Sequence, residues 1–355
     1  LSPGQTGKIV ISGKLEGERD NVKTFWAHIG AMNQGEFISY SEEKSETNIV
    51  ASPLIIAQTV NGKTSLDVNA GDELGFILKF KNEGDAGLGD VIVTEKIESP
   101  ILDYNTLRIE KGTFDFNEKR ITWKASDFPI LASLQPMQEG TIGFSIRLKE
   151  NIPVASKNDK NFVISSVAKI DSPYVPTPIE TNRVISGNKL DIRLNSKIVL
   201  DTRGFYHDAL LSNSGPIPPK IDQETTYTIH WRASNISNDV EDARVETVLP
   251  TNVVMTGNIY PQEAKFSYNE RTNAIVWEIG NMKAGVGVLS SPLEIAFQVK
   301  IKPFLAQIGQ TIELVGPATF SALDNFTGKN LSVVTEKKTT ALPEDTSLKS
   351  GEYVV

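Results

Sequence analysis

The first twelve residues, "LSPGQTGKIVIS", recur as "LQPMQEGTIGFS" at residues 134–145. Leu1, Pro3, Gln5, Gly7, Ile9 and Ser12 are matched by Leu134, Pro136, Gln138, Gly140, Ile142 and Ser145. Self-similarity on this scale means that the chain strings together copies of one unit. The register holds downstream: "TFWAHIG" lies over "SSVAKID", placing Trp26 over Val167 and Ile29 over Ile170, and "ETN" recurs at 46–48 and 180–182. A further copy follows. "AGDELGFILKFKNEGDAGLGDVIVTEKI" matches "DQETTYTIHWRASNISNDVEDARVETVL", with Asn82 and Asn235 in corresponding turns. The hairpins "TFDFNEKRITW" and "KFSYNERTNAIVW" end in Trp123 and Trp277.

The unit is built of strands. In "TIGFSIRLK", Ile142, Phe144, Ile146 and Leu148 alternate with Gly143, Ser145, Arg147 and Lys149. "EIAFQVKIK" does the same with Ile295, Phe297, Val299 and Ile301. Period-two alternation marks antiparallel strands with one buried face. Turn clusters such as "NEGDAG" and "SNSGPIPP" separate the runs, and no amphipathic helix longer than a couple of turns is legible. The expected fold is all-β, a tandem of immunoglobulin-like antiparallel sandwiches whose first member is incomplete. Phe76, Phe144, Trp123, Trp277 and Phe297 are the expected core.

The repeats set boundaries. Residues 1–51 read as the C-terminal half of a sandwich, 52–186 as a complete one, 187–341 as another, and 342–355 as a flexible tail. The last sandwich carries an insertion near 201–222. A half-sandwich exposes an apolar face and open strand edges. It implies either front strands supplied by chain upstream of Leu1 or completion by a strand from another chain.

Composition bounds the rest. The 355 residues are 39% hydrophobic and 23% charged, enough apolar material for ordinary cores. A net charge of −8 leaves nothing to neutralise phosphates, so nucleic acid is not an expected partner, and anionic lipid is disfavoured. With no Cys there are no disulfides, thiolate metal sites or Cys nucleophiles, and an extracellular reading must then be prokaryotic. No apolar run reaches the ~18–20 residues that span a bilayer, so membrane attachment would come only through a segment outside this chain. His28, His207 and His230 are scattered, and His28 and His230 read as solvent-face or rim residues of strands. No nucleophile elbow, phosphate loop, H-E-x-x-H or EF-hand loop occurs. No Lys–Asn–acid trio marks an internal isopeptide. The acidic turns holding Asp85, Asp90 and Asp324 could take Ca²⁺, though turn formation is the favoured reading of them. No catalytic residue, metal ligand or cofactor is therefore assigned. The insertion offers Phe205, Tyr206 and His207 on an irregular loop, the one candidate for binding. The alternative is that these aromatics fold back over a sandwich end.

The order "TYTIHWRASN", "VEDARVETVLP" and "IVWEIGNM" resembles the conserved-repeat immunoglobulin-like domain of bacterial and archaeal surface proteins, and most of all envelope proteins of candidate-phyla bacteria. Leu249-Pro250, Trp277 and Leu1-Ser2-Pro3-Gly4 carry three of its elements. The second unit departs from the pattern with Ile97-Glu98 for Leu-Pro and Pro136-Met137 for Pro-Gly, and the third has "MKAGVGV" with no Pro. The resemblance implies a non-enzymatic structural or adhesive protein at a prokaryotic cell surface, a stalk, envelope layer or adhesin. Its partners would be other surface proteins, glycans or neighbouring copies of itself. The competing reading is a carbohydrate- or protein-binding array using the insertion loop. A catalytic or enzyme-accessory role ranks third.

Overall fold

In the computed structural model, residues 6–10, 22–48, 52–175, 184–348 and 350–355 are described. They are all-β, with two short 3₁₀ turns at Pro129–Ala132 and Leu305–Gln307. None of the described helices is long and apolar enough to cross a membrane.

The first sandwich has a four-stranded sheet of β3 (Leu54–Val60), β5 (Glu73–Asn82), β12 (Glu139–Leu148) and β8 (Leu102–Ile109), in that order. Against it lies a six-stranded sheet of β4 (Ser65–Val68), β14 (Ile185–Leu194), β13 (Val163–Asp171), β7 (Ile92–Ile97), β10 (Arg120–Trp123) and β9 (Thr113–Asp115). The short pair β6 (Leu88–Gly89) and β11 (Ser133–Leu134) closes one end. In the second sandwich the four-stranded sheet runs β15 (Ile198–Phe205), β16 (Thr225–Asn235), β21 (Leu293–Ile301), β18 (Val253–Tyr260). Its partner runs β19 (Phe266–Asn269), β20 (Ala274–Met282), β17 (Val240–Val248), β23 (Thr319–Asp324), β24 (Asn330–Val334). A small pair, β22 (Glu313–Val315) and β25 (Lys338–Thr339), flanks it. Apart from β4, which has no counterpart in the second sandwich, the strand orders of the two main sheets match, so the sequence repeat is also a repeat of topology. Both units are immunoglobulin-like β-sandwiches.

Alternation builds the cores. Leu74, Phe76, Leu78 and Phe80 point inward from β5 while the intervening positions face out. Phe76 stacks on Phe144 at 4.5 Å between ring centroids, and Trp123 tilts against Phe144 at 6.0 Å. In the second core Trp231 meets Phe297 edge-on at 4.9 Å, and Trp277 is buried. The buried residues fall into two separate clusters, one per sandwich. The corresponding Asn82 and Asn235 are fully buried, and each side chain ties its strand end to the neighbouring loop.

Three sequence expectations are corrected. Strand β14, placed across a boundary at 186/187, lies wholly in the first sandwich: Leu190, Ile192 and Leu194 fill its core. It also pairs with β4 in parallel, so that sheet is mixed. The crossover to the second sandwich is only Asn195–Lys197, because Ile198 already starts the next inward-facing run. The tail 342–355 is not free. Leu342 and Val354 are buried in the second core, Val354 bridges Ile308, and the Val355 amide donates to Pro219 at 2.9 Å.

Residues 22–48 form a hairpin, β1 (Val22–Asn33) and β2 (Glu36–Asn48), with a bulge at Ile29/Gly30, and it pairs with no other strand among the described residues. Phe25, Trp26, Met32, Phe37 and Tyr40 are all more than half exposed. Of the expected opening strand, residues 6–10 are assigned to no strand and the rest lies outside the described residues, as does "ETN" at 180–182.

Candidate functional site

The insertion turns out to be a cover. Strand β15 runs through Phe205, so the irregular segment is 206–224 rather than 201–222. It lies across the outer face of β16 and β21, which explains why both faces of these strands are buried. Gln298, at an outward position, donates from Nε2 to the Ser212 carbonyl at 3.0 Å and to Asn213 Oδ1 at 2.9 Å. Thr228 donates to the Leu211 carbonyl at 3.2 Å and accepts from Asn213 Nδ2 at 2.9 Å. Gly215 sits at φ +101° where a Cβ would come 2.2 Å from the Glu224 carbonyl oxygen, so only glycine lets the loop pass the base of β16.

Phe205, Tyr206 and His207 do not form an open platform. Phe205 meets the His230 ring edge-on at 5.2 Å. Tyr206 donates from its hydroxyl to the Gly215 carbonyl at 2.7 Å and packs edge-on against Tyr227 at 6.1 Å. Its amide and that of His207 both donate to Asp345 Oδ2, at 2.9 and 2.8 Å. Only the His207 ring is half-exposed. Burial alone would raise the Asp345 carboxyl, but the His207 and Tyr206 amides outweigh it and hold it below the usual carboxylate range. The stability this gives is present above that range and lost as pH falls through the lowered value. Asp345→Ala should therefore free the loop, speeding amide exchange at 206–224 and costing the second sandwich about 1–3 kcal/mol.

His230 corrects the rim reading. It is 7% exposed because the insertion covers it. Nε2 lies 2.6 Å from Asp208 Oδ2 and Nδ1 2.7 Å from Glu294 Oε1, so each ring nitrogen shares a hydrogen bond with a carboxylate. The cluster fastens the loop to β16 and β21. No group of three His, Cys, Asp or Glu suited to a metal occurs among the described residues. Asp324, read as a Ca²⁺ candidate, spends its carboxylate on N–H donors: Ser196 at 2.7 Å, Asn238 Nδ2 and Phe326 at 2.8 Å, and Thr327 at 3.1 Å. Asp85 and Asp90 are exposed turn residues.

Those Asp324 contacts belong to the junction between the sandwiches. Ser196 Oγ donates to Asn235 Oδ1 at 2.7 Å, and Asn238 Nδ2 also donates to the Leu194 carbonyl at 2.8 Å. Ser196, Asn235, Asn238 and Asp324 are all buried. Around them Asn161 donates to the Ser237 carbonyl at 3.1 Å, Lys160 pairs with Asp239 at 3.3 Å, and Arg193 reaches the Phe326 carbonyl at 3.3 Å.

A second buried polar group lies inside the first sandwich. Gln58, Glu95 and Ser166 occupy inward positions of β3, β7 and β13 and are no more than 2% exposed. Gln58 Nε2 donates to the Ser166 and Asn188 carbonyls at 2.8 and 2.9 Å. Ser166 Oγ sits between Gln58 Oε1, at 3.4 Å, and Glu95 Oε1, in direct contact. Glu95 Oε2 has no partner. Burial pushes the Glu95 carboxyl up to about 8, partly offset by Ser166. Between the ordinary value of 4.5 and 8 the unfolded chain binds fewer protons than the folded one, so stability falls as pH rises. The slope should approach about 1.4 kcal/mol per pH unit at its steepest. Denaturant melts across this window should show that slope in the wild type and lose it in Glu95→Gln.

The strand alternation could have revealed this group, since all three residues fall in phase with core neighbours. Asp208, Glu294 and Asp345 carried no such signal, because their roles depend on how the insertion and tail fold back.

No protein-family model and no curated protein matches the chain. Among solved structures it is similar to the C-terminal domain of the Streptococcus pyogenes antigen I/II-family protein AspA. That match has 13% identity and a TM-score of 0.34, covering 80% of this chain and 99% of that one. It is also similar to BcpA, the major pilin subunit of Bacillus cereus, at 10% identity and a TM-score of 0.29, over 76% of this chain and 73% of that one. A Clostridium thermocellum cohesin–dockerin complex, Coh-OlpC-Doc435, matches at 11% identity and a TM-score of 0.26, over 42% and 99%. Overlaps this loose carry no argument about what the chain does.

Proposed function

We propose that this chain is a non-enzymatic structural and adhesive protein of a prokaryotic cell surface, a semi-rigid rod of tandem immunoglobulin-like sandwiches. The observation that carries this reading is the junction. A three-residue crossover is locked by buried hydrogen bonds running from Leu194 through Ser196 to Asn235, Asn238 and Asp324. Such coupling transmits orientation and load from one sandwich to the next, which a stalk or envelope component needs and a flexibly tethered enzyme accessory does not. The insertion supports the same reading, since its aromatics are engaged by Gly215, Asp345 and Tyr227. Contacts with other surface proteins, glycans or copies of the chain would then use sheet faces, edges and end loops. An antibody to the chain should label intact, unpermeabilised source cells; labelling only after lysis would contradict the surface assignment.

A further inference from the structure

The crevice between the two sandwiches carries more positive charge than the junction uses. A cavity of about 460 Å³ opens there, within the size range of small-ligand sites. Lys157 and Lys160, on the loop between β12 and β13, line it from the first sandwich; Asp239, Lys283 and the turn at 284–290 line it from the second. Asp239 is the one carboxylate among these lining residues. Its Oδ2 accepts from Lys160 at 3.3 Å and from Lys283 at 3.0 Å, and its Oδ1 accepts from the Ala284 amide at 2.9 Å. Lys157 has no ion pair among the described residues. The nearby Asp159 is engaged by its own turn, accepting from the Ala155 and Ser156 amides at 3.0 and 2.7 Å. Three cations thus line the cavity with one carboxylate, in a chain whose net charge is −8.

Both sides of the cavity are held in place. The Asn161 amide donates to the Ser237 carbonyl and to Asn238 Oδ1, both at 3.1 Å, which seats the lysine-bearing loop against the second sandwich. On the other side the Gly285 amide donates to the Ile236 carbonyl at 2.9 Å, and the Asn235 amide to the Val286 carbonyl at 2.8 Å. Gly285 lies at φ +84°, where a Cβ would come 2.7 Å from Leu289 Cδ1, so the turn closes directly on the leucine. Leu289 and the half-buried Val286 give the cavity an apolar patch beside its cations. A staple between two domains needs one cation per carboxylate. The surplus ammonium groups instead repel one another and concentrate anions in the crevice.

We propose that this crevice binds an acidic sugar unit of a glycan, with Lys157, Lys160 and Lys283 receiving its carboxylate or phosphate and Val286 and Leu289 meeting the C–H face of its ring. Lysine suits the task, since each ammonium is a point charge on a flexible stem and adapts to either anion. The apolar patch favours a sugar over a bare inorganic ion, which would leave it uncovered. An extended peptide is the poorer occupant, because the lining residues lie outside the strands and offer it no sheet edge to pair with. Because the lysines come from both sandwiches, an occupied crevice also braces the junction. The adhesive reading supplies the setting for such a ligand; the site itself rests on charge and shape.

The test is a titration of the full chain, followed by backbone amide shifts, with trigalacturonate for the carboxylate and a glucose phosphate for the phosphate, each against neutral maltotriose. At least one acidic sugar should saturably shift the amides at 157–160 and 284–290, and the tighter of the two identifies the anion. Maltotriose should leave those amides unmoved, and added salt should weaken the acidic sugar. Lys157→Glu changes an exposed side chain that has no ion pair, so it should fold as the wild type does and weaken binding by about 10-fold or more. Lys157→Arg should keep the affinity. The proposal is overturned if neither acidic sugar gives a saturable shift, if maltotriose binds equally well, or if Lys157→Glu binds as tightly as the wild type. An oligoglutamate binding as tightly as the sugars would also overturn it, since recognition would then ignore the ring. The titration uses purified chain, so its failure is separate from a failure of the cell-labelling experiment.

Discussion

Trp123→Ala should unfold the first sandwich and leave the second standing. Trp123 is fully buried, its indole nitrogen donates to the Lys111 carbonyl at 2.7 Å, and its ring fills the space between Phe144 and the Lys111–Gly112 turn. Gly112 has φ +108°, and a Cβ there would lie 2.5 Å from the indole, so the turn is shaped around this ring. Truncation removes the largest side chain of the core, opens a cavity no neighbour can fill, and strands a carbonyl. The cost should be about 3–5 kcal/mol, most or all of a single sandwich's stability. Because the two cores share no buried residue, calorimetry should show the first transition lost or shifted down while the second stays.

Asp324→Ala is expected to act at the junction instead. It leaves the buried Ser196 amide and Asn238 side chain, and the half-buried Phe326 and Thr327 amides, without their acceptor. Each orphaned buried donor costs about 1–3 kcal/mol, so the two buried ones together should cost about 2–6 kcal/mol. Both sandwiches hold Asp324's partners or their neighbours, so the loss should lower the second transition and uncouple it from the first. Asp324→Asn should be milder, since one amide oxygen still accepts.

The sandwiches were legible in the sequence because alternation is a physical requirement of a half-buried sheet. "ELGFILKFKN" and "EIAFQVKIK" state which face is inside before any fold is known, and the recurrence of Trp123 and Trp277 marks one strand in two copies. What stayed hidden depends on segments without periodicity. "HDALLSNSGPIPPKID" gives no sign that it will cover β16 and β21, and so no sign that His230 is buried between two carboxylates. "LPEDTSLKSGEYVV" reads as polar and frayed, yet Leu342, Asp345 and Val354 anchor it. The parallel pairing of β14 with β4 is likewise invisible, since each strand's alternation is the same in either direction. The boundary was misplaced by eight residues because "GNKLDIRL" and "KIVLDTRGF" are adjacent alternating runs with only Asn195 and Ser196 between them. The buried Gln58, Glu95 and Ser166 were visible in phase but masked by the apolar residues around them.

The central claim is that the junction holds the two sandwiches in one orientation. The chain has no cysteine, so Glu118→Cys and Glu270→Cys, at the exposed tips of the corresponding hairpins, would carry spin labels without interference. Pulsed electron resonance should give a single narrow distance distribution between the labels, broadening strongly when Asp324→Ala is added. A distribution already broad in the otherwise unaltered chain would contradict the account.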